Sequence, residues 1–195
     1  RVPIFLEATP YMPRTRGANV VHHSQVAGWC ESERPLVEVP RSEANDIDRA
    51  IASLVAERIP DGASVQIGIG SIASAVLDGL RGHRDLGIHT ELLHDGMVDL
   101  VEEGVVTGVE KEVRRNRVVT TFCLGTRRLY DWLEDNAVVE VLGPVVVPLR
   151  FGRAVGPRRR RRERALEVED ATRRLVDEGR GIVREQVNRG IVDVV

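Results

Sequence analysis

A strand, a glycine turn and a helix follow one another in residues 65–82, and this unit constrains the fold more than any other stretch of the sequence. Apolar residues alternate through positions 65–69, which predicts a half-buried strand. Gly68 and Gly70 form the turn, and a helical stripe of apolar residues follows it. A second apolar segment, at residues 86–92, carries Glu91 near its end. We therefore expect exposed backbone N–H groups and one carboxylate at the same edge of a sheet.

The alternation of strands and helices continues along the chain. Residues 118–124 and 138–142 predict two more strands, and the segments between the strands have helical spacing. Each predicted helix follows a residue that can cap it: Ser42 or Asn45, Ser71, Asp95 and Thr126. Strands that alternate with helices of about ten residues are typical of βαβ units. The sequence thus predicts an α/β fold, a parallel sheet with flanking helices.

Three regions differ in composition and suggest the domain organisation. Residues 1–42 contain five prolines and no sustained periodicity, which predicts an extended lead-in with turns. Residues 43–148 hold the predicted α/β domain. Residues 149–195 form an arginine-rich tail, with five consecutive arginines at 158–162, and we expect this tail to be irregular or helical.

Composition excludes several classes of function. The chain has 195 residues, 42% of them apolar, and a net charge of −2, so a core can form and there is no overall attraction to nucleic acid or anionic lipid. No apolar run reaches the length of about 18 residues that spans a bilayer. Cys30 and Cys123 lack the spacing of a metal site. We expect a cytoplasmic protein with no metal, nucleic-acid or membrane partner.

The glycine turn supports a dinucleotide-binding interpretation. Gly68, Gly70 and Ala73 satisfy the G-x-G-x-x-A pattern directly after a strand, and Glu91 lies 23 residues past Gly68, where an acid would hold a ribose hydroxyl. On the residues alone this NAD-binding Rossmann module is the leading reading. A tight structural turn followed by a solvated glutamate is the alternative without a ligand.

Several blocks in register resemble another family. They are Met12-Pro13-Arg14-Thr15, Ile59-Pro60-Asp61-Gly62, Val65-Gln66-Ile67-Gly68-Ile69-Gly70, Gly87-Ile88-His89-Thr90-Glu91, Asp95-Gly96-Met97-Val98-Asp99-Leu100 and Leu124-Gly125-Thr126-Arg127. Over about residues 10–140 the chain is similar to the acetyl-CoA hydrolase / 4-hydroxybutyrate CoA-transferase family. The resemblance implies a fold of CoA-transferase type.

The resemblance also implies a covalent mechanism. Glu91 would be the nucleophile, because a glutamate is ionised at neutral pH without a helper base, and it would form an acyl anhydride and then a glutamyl-CoA thioester. The oxyanion donors and CoA contacts would be Gly68, Ile69, Gly70, Ser71 and Ile72, with Gly125 as a weaker candidate. Acyl-CoA and a short-chain carboxylate would be substrates, and no cofactor would be permanently bound. The acyl group, the choice between transfer and hydrolysis, and the oligomeric state stay open.

Other candidate groups favour structural roles. A neutral structural histidine is the preferred reading of His89 and His94, although His89 would share a strand face with Glu91 if the strand were regular. His22 and His23 lack a ligand set for a metal. Asp95 is expected to cap a helix.

The resemblance ends near Leu142. Family members are longer at both ends, so residues 1–42 correspond to the end of a first domain and the second domain is expected to be incomplete. We hypothesise that the arginine-rich tail comes from a shifted reading frame in a GC-rich gene. A fragment that lacks activity, or that serves only as an interaction module, is the third alternative.

Overall fold

The computed structural model describes residues 3–143 and 193–194. Within these residues the α-helices are α1 (Asp46–Ala56), α2 (Ser71–Gly79), α3 (Asp95–Glu102) and α4 (Arg127–Leu133). Its β-strands are β1 (Ile4–Ala8), β2 (Val26–Glu31), β3 (Ser64–Ile67), β4 (Gly87–Ile88), β5 (Leu92–Leu93), β6 (Val118–Thr120), β7 (Phe122–Cys123), β8 (Val139–Val141) and β9 (Asp193–Val194). The predictions for the arginine-rich tail fall almost wholly on residues 144–192, outside the described part.

Every strand pair in the described residues is parallel, as the alternation of strands and helices predicts. β3 lies between β4 and β9, and β6 pairs with β8. An isolated bridge between His89 and Val119 joins β4 to β6, so the β3–β4 ladder and the β6–β8 ladder are adjacent parts of one sheet. The predicted parallel α/β fold is therefore confirmed in these residues.

Two predicted strands are each broken into two pieces. The strand predicted at residues 86–92 is β4 and β5, and the strand predicted at 118–124 is β6 and β7. Glu91 lies at the first break, and Thr121 at the second. After the break β5 pairs with β7 and no longer with the sheet before it. The prediction of one continuous strand over residues 86–92 was wrong, because the chain leaves the ladder before Glu91 and pairs again only at Leu92.

The lead-in contains strands that the sequence analysis did not assign. β1 and β2 form a parallel pair with a register shift after Ile4. Farther along, the Arg16 carbonyl accepts a hydrogen bond from Val141 N at 2.7 Å, and Val39 N donates to the Gly125 carbonyl at 2.9 Å. The lead-in therefore contacts the domain that follows at Arg16, next to β8, and at Val39, just before α4.

The predicted helix caps had different outcomes. Asn45 caps α1, because its side chain accepts from Asp48 N. Ser71 was the wrong cap for α2, since Gly70 holds that position and Ser71 is the first helical residue. Asp95 was likewise wrong for α3, whose cap is His94. Ser71 and Asp95 each lie one residue inside the helix that they were expected to cap.

The core lies between the helices and the parallel ladders. Its fully buried side chains, all less than 2% exposed, include Ile67, Leu77, Leu80, Leu86, Ile88, Leu93, Met97, Leu100, Leu129 and Leu133. Full burial of one such side chain stabilises the fold by about 1.5–3 kcal/mol. None of the helices in the described residues is long and apolar enough to cross a membrane.

Lys111, the only lysine in the sequence, is buried inside this fold. Its Nζ donates to the carbonyl of Ile88 in β4 at 2.8 Å and to the carbonyl of Arg117, just before β6, at 2.6 Å. Gly87 makes room for it, because an added Cβ would lie 2.5 Å from Lys111 Cγ. Burial lowers the pKa of Lys111 to about 8. The ammonium thus joins two strands at the cost of desolvation.

We expect this burial to give the fold a pH dependence above pH 8. Between pH 8 and the usual lysine range the unfolded chain binds the proton that folded Lys111 releases, so stability rises with pH. From pH 8 to 10 the free energy of unfolding of the native chain should increase by about 2 kcal/mol relative to Lys111→Met. Urea unfolding across this range measures the difference. If the free energy of unfolding changed with pH by the same amount in the two proteins, the expectation would be contradicted.

Candidate active site

The glycine turn between β3 and α2 is shaped by backbone conformation. Gly70 has φ +129°, a value that L side chains rarely adopt, and an added Cβ there would meet no atom within 4 Å. The space beside Gly70 is therefore open. The first helical hydrogen bond runs from Ser74 N to the Gly70 carbonyl.

The amides of this turn are available to a ligand. The N–H groups of Ile69, Gly70, Ser71 and Ile72 have no hydrogen-bond acceptor among the described residues. The first N–H groups of a helix lack partners within the helix and carry a partial positive charge. Their arrangement can bind an anion or a developing oxyanion, which is the role predicted for these residues.

Glu91 lies at the break between β4 and β5 with its side chain exposed. No hydrogen bond or ion pair of the Glu91 carboxylate involves another described residue. Its main-chain carbonyl is held firmly, since it accepts from Thr121 N at 3.0 Å, Phe122 N at 3.0 Å and Thr120 Oγ1 at 3.1 Å. The backbone of Glu91 is thus fixed while its carboxylate is free to meet a substrate.

Two buried threonines form matching contacts at the two breaks. Thr90 Oγ1 lies 3.3 Å from the Ile67 carbonyl and 3.0 Å from the Leu92 carbonyl. Thr120 Oγ1 lies 3.1 Å from the Glu91 carbonyl and 2.8 Å from that of Phe122. Each hydroxyl has a single hydrogen, so it shares this hydrogen between a carbonyl of the neighbouring strand and one of its own. The threonines therefore stabilise the bends that release Glu91 from the sheet.

His94 connects the segment after Glu91 to the glycine turn. It is 6% exposed, and its Nε2 lies 3.1 Å from the Gly68 carbonyl. Burial lowers the pKa of His94, so the ring is neutral at pH 7. Thr90 contacts Ile67 from the other side of Glu91. These two contacts hold the Glu91 bend beside the start of the turn.

The presence of glycine at position 125 is explained by its close packing against Asp95. Asp95 Oδ2 accepts from Thr126 N at 2.8 Å, and its Oδ1 accepts from Thr126 Oγ1 at 2.6 Å. An added Cβ at Gly125 would collide with the Asp95 carboxylate and with Leu129. Asp95 thus accepts hydrogen bonds at the start of α4 instead of capping α3. The predicted contribution of Gly125 to the substrate site stays a prediction.

The remaining candidate groups do not join this site. His89 is 5% exposed, unlike the exposed Glu91, so the two do not share one face of a regular strand. Burial, together with the charges of Lys111 and Arg114, lowers the pKa of His89 to about 4. Burial raises the pKa of the Cys123 thiol to about 12, which makes it a poor nucleophile. No three His, Cys, Asp or Glu side chains gather as a metal site within the described residues.

Sequence reasoning missed Thr120, and it gave His94 a structural role without the contact to the glycine turn. Thr120 and His94 act on main-chain carbonyls far along the chain, and this leaves no periodic pattern. The Thr-Thr pair at 120–121, in an otherwise apolar strand, was the only signal for the break. For His94 the sequence offers only its place three residues after Glu91.

Comparisons with known proteins agree with the CoA-transferase resemblance. The chain is 38% identical over 137 residues to the 4-hydroxybutyrate coenzyme A transferase of Clostridium kluyveri, covering 70% of this chain and 32% of that protein. It is 38% identical over 118 residues to an acetyl-CoA hydrolase of Saccharomyces cerevisiae, covering 52% of this chain and 22% of that protein. A crystal structure of a 4-hydroxybutyrate CoA-transferase from Porphyromonas gingivalis superimposes with a TM-score of 0.68 at 36% identity, covering 72% of this chain and 36% of that one. No family model matches the chain.

These matches confirm the resemblance predicted from the sequence. The chain spans about a third of the length of the first curated relative, 32%. The relatives named above are CoA-transferases or an acetyl-CoA hydrolase, and none of them supports the dinucleotide-binding alternative.

We expect Thr120 to stabilise the break at Glu91. Thr120→Val removes a hydroxyl that contacts two carbonyls, so it should lower the free energy of unfolding by about 1–3 kcal/mol. Thr121→Val is the matched control, because the Thr121 hydroxyl is buried and has no hydrogen-bond partner in the described part of the chain. It should be neutral or slightly stabilising. Urea unfolding measures both variants, and an equal loss in the two would contradict the assignment.

Proposed function

We propose that this chain, a partial match to the acetyl-CoA hydrolase / 4-hydroxybutyrate CoA-transferase family, transfers CoA from an acyl-CoA to a carboxylate through Glu91. One observation carries the proposal: an exposed carboxylate on a backbone held by three hydrogen bonds, in a segment that His94 ties to the first glycine of a turn of unengaged amides. The carboxylate is a nucleophile that needs no base. The amides are donors for the negative charge that develops on a thioester oxygen.

The first half of the reaction moves CoA onto the enzyme. A carboxylate oxygen of Glu91 attacks the thioester carbon, and the carbonyl oxygen becomes an oxyanion that the amides of residues 69–72 stabilise. The C–S bond then breaks, which leaves an acyl-glutamyl anhydride and CoA thiolate. The thiolate attacks the glutamyl carbon, the C–O bond breaks, and the free carboxylate leaves. Glu91 now carries CoA as a thioester.

The second half reverses these steps with another carboxylate. The incoming carboxylate attacks the glutamyl thioester and expels the thiolate, forming a new anhydride. The thiolate then attacks the new acyl carbon, which yields the product acyl-CoA and restores the Glu91 carboxylate. No proton is gained or lost. When water attacks the glutamyl thioester instead, the products are the Glu91 carboxylate, CoA thiol and a proton, and the net reaction is hydrolysis.

In this proposal the protein contributes to catalysis by positioning Glu91 and by stabilising the oxyanion electrostatically. Thr120 fixes the backbone of Glu91, so little conformational entropy is lost when the carboxylate meets the thioester. The turn and the start of α2 present several N–H groups without rearrangement. Short-chain acyl-CoA and carboxylates are the proposed substrates, since these are the compounds that the matched relatives are named for. We place the protein in the cytoplasm, as composition suggests.

The test is to trap the covalent intermediate. The chain is incubated with acetyl-CoA and then with borohydride or hydroxylamine, and the tryptic peptide of residues 85–111, which contains Glu91, is examined by mass spectrometry. We expect a modified Glu91 in the native chain and none in Glu91→Gln, whose exchange of labelled acetate into acetyl-CoA should fall at least about 10²-fold.

Glu112→Gln is the matched control, because Glu112 is also exposed and lies outside the site. This variant should behave as the native chain does. Full acyl exchange by Glu91→Gln would overturn the proposal. Quenching of Trp132 fluorescence by NAD, without a response to acetyl-CoA, would favour dinucleotide binding, and no response to either would favour a non-enzymatic module.

A further inference from the structure

His94 makes a contact that reaches into the proposed oxyanion site without touching a substrate. It is the cap residue of α3, and its Nε2 lies 3.1 Å from the carbonyl of Gly68. A carbonyl oxygen can only accept, so Nε2 must carry the hydrogen and donate it. The contact spans 26 residues of sequence. The hydrogen bond therefore connects the glycine turn to the segment that carries Glu91, and it restrains the turn.

Peptide geometry transmits this contact to the next residue. The carbonyl of Gly68 and the N–H of Ile69 belong to one planar peptide unit, and none of the peptide bonds in the described residues is cis. In a trans unit the two groups point in opposite directions. A hydrogen bond that holds the carbonyl toward His94 therefore holds the Ile69 N–H away from it.

Glycine makes such a restraint necessary. Gly68 and Gly70 flank the peptide units of the turn, and glycine backbones rotate more freely than others. The N–H of Ile69 has no acceptor among the described residues that could fix its direction, and the Ile69 side chain is 55% exposed. Strand β3 restrains this peptide unit from the preceding side. Among the described residues, the side-chain hydrogen bond to the unit comes from His94.

We propose that His94 is a positioning residue: through the Gly68 carbonyl it directs the Ile69 N–H toward the oxygen of the bound thioester. This inference rests on the proposed function, because it gives that oxygen a defined donor. His94 contacts neither the substrate nor the reacting atoms. Its imidazole acts through one peptide plane.

Two variants of His94 separate positioning from packing. His94→Gln keeps a donor at the place of Nε2, whereas His94→Leu keeps the bulk and removes the donor. We expect His94→Leu to lower kcat for acyl exchange by about 10²–10³, the effect of losing one oxyanion donor, with KM for acetyl-CoA changed by less than about threefold. His94→Gln should recover at least about tenfold of the lost kcat.

His83 supplies the matched control. Its Nε2 also lies near main-chain carbonyls, at 2.9 Å from Ile59 and 3.2 Å from Ala56, but at the end of α1 and outside the site. His83→Leu should lower Tm while leaving kcat near the native value. If His94→Leu keeps native kcat, or if His94→Gln falls as far as His94→Leu, the proposal is overturned.

An NMR measurement keeps the inference testable apart from turnover. In protein labelled with ¹⁵N-isoleucine, the Ile69 amide signal should shift on adding acetyl-CoA to the native chain and to His94→Gln, and not in His94→Leu. An equal shift in all three proteins would refute the positioning role. If Glu91→Gln instead keeps full exchange, the proposed function fails, whatever the Ile69 signal shows.

Discussion

The hydrogen bonds to the Glu91 carbonyl are the constraint on which the site depends. A regular parallel strand through residue 91 would place this carbonyl in the ladder and alternate its side chains between the two faces of the sheet. Here the carbonyl accepts from two successive amides and a threonine hydroxyl, all at the break between β6 and β7. An unsatisfied carbonyl at a break in a buried strand would cost about 1–3 kcal/mol. The second break thus supplies the donors that make the first one stable.

Helix α3 then joins the two turns that border this break. Its cap, His94, reaches back to the turn before α2, and its first residue, Asp95, reaches forward to Thr126 at the start of α4. Adjacent residues therefore hold two different loops. Glycine is needed at both loops for separate reasons: Gly70 for its positive φ, and Gly125 to admit the Asp95 carboxylate. A substitution at either glycine disturbs the same edge of the sheet by a different route.

The sequence predicts most of this architecture and little of its detail. Parallel strands, the glycine turn and the position of Glu91 follow from periodicity and spacing, because burial imposes those patterns directly. The strand breaks do not, since they depend on hydrogen bonds from Thr90 and Thr120 to carbonyls elsewhere in the fold. Ser71 and Asp95 satisfy the local preference for a cap, yet the structure uses their neighbours Gly70 and His94. For Asp95 the local rule fails because a tertiary contact with Thr126 occupies its carboxylate.

Exposure of Glu91 bears on which reaction the proposed intermediate would undergo. A glutamyl thioester can pass to a carboxylate or to water, and the partition depends on how well the site excludes water. Among the described residues nothing covers the Glu91 side chain, and the space at Gly70 in the glycine turn is open. On these residues alone water has access to the thioester as easily as a carboxylate does. Selective CoA transfer would therefore require that other parts of a complete site cover Glu91, while hydrolysis requires no more than the carboxylate and the amides already in place.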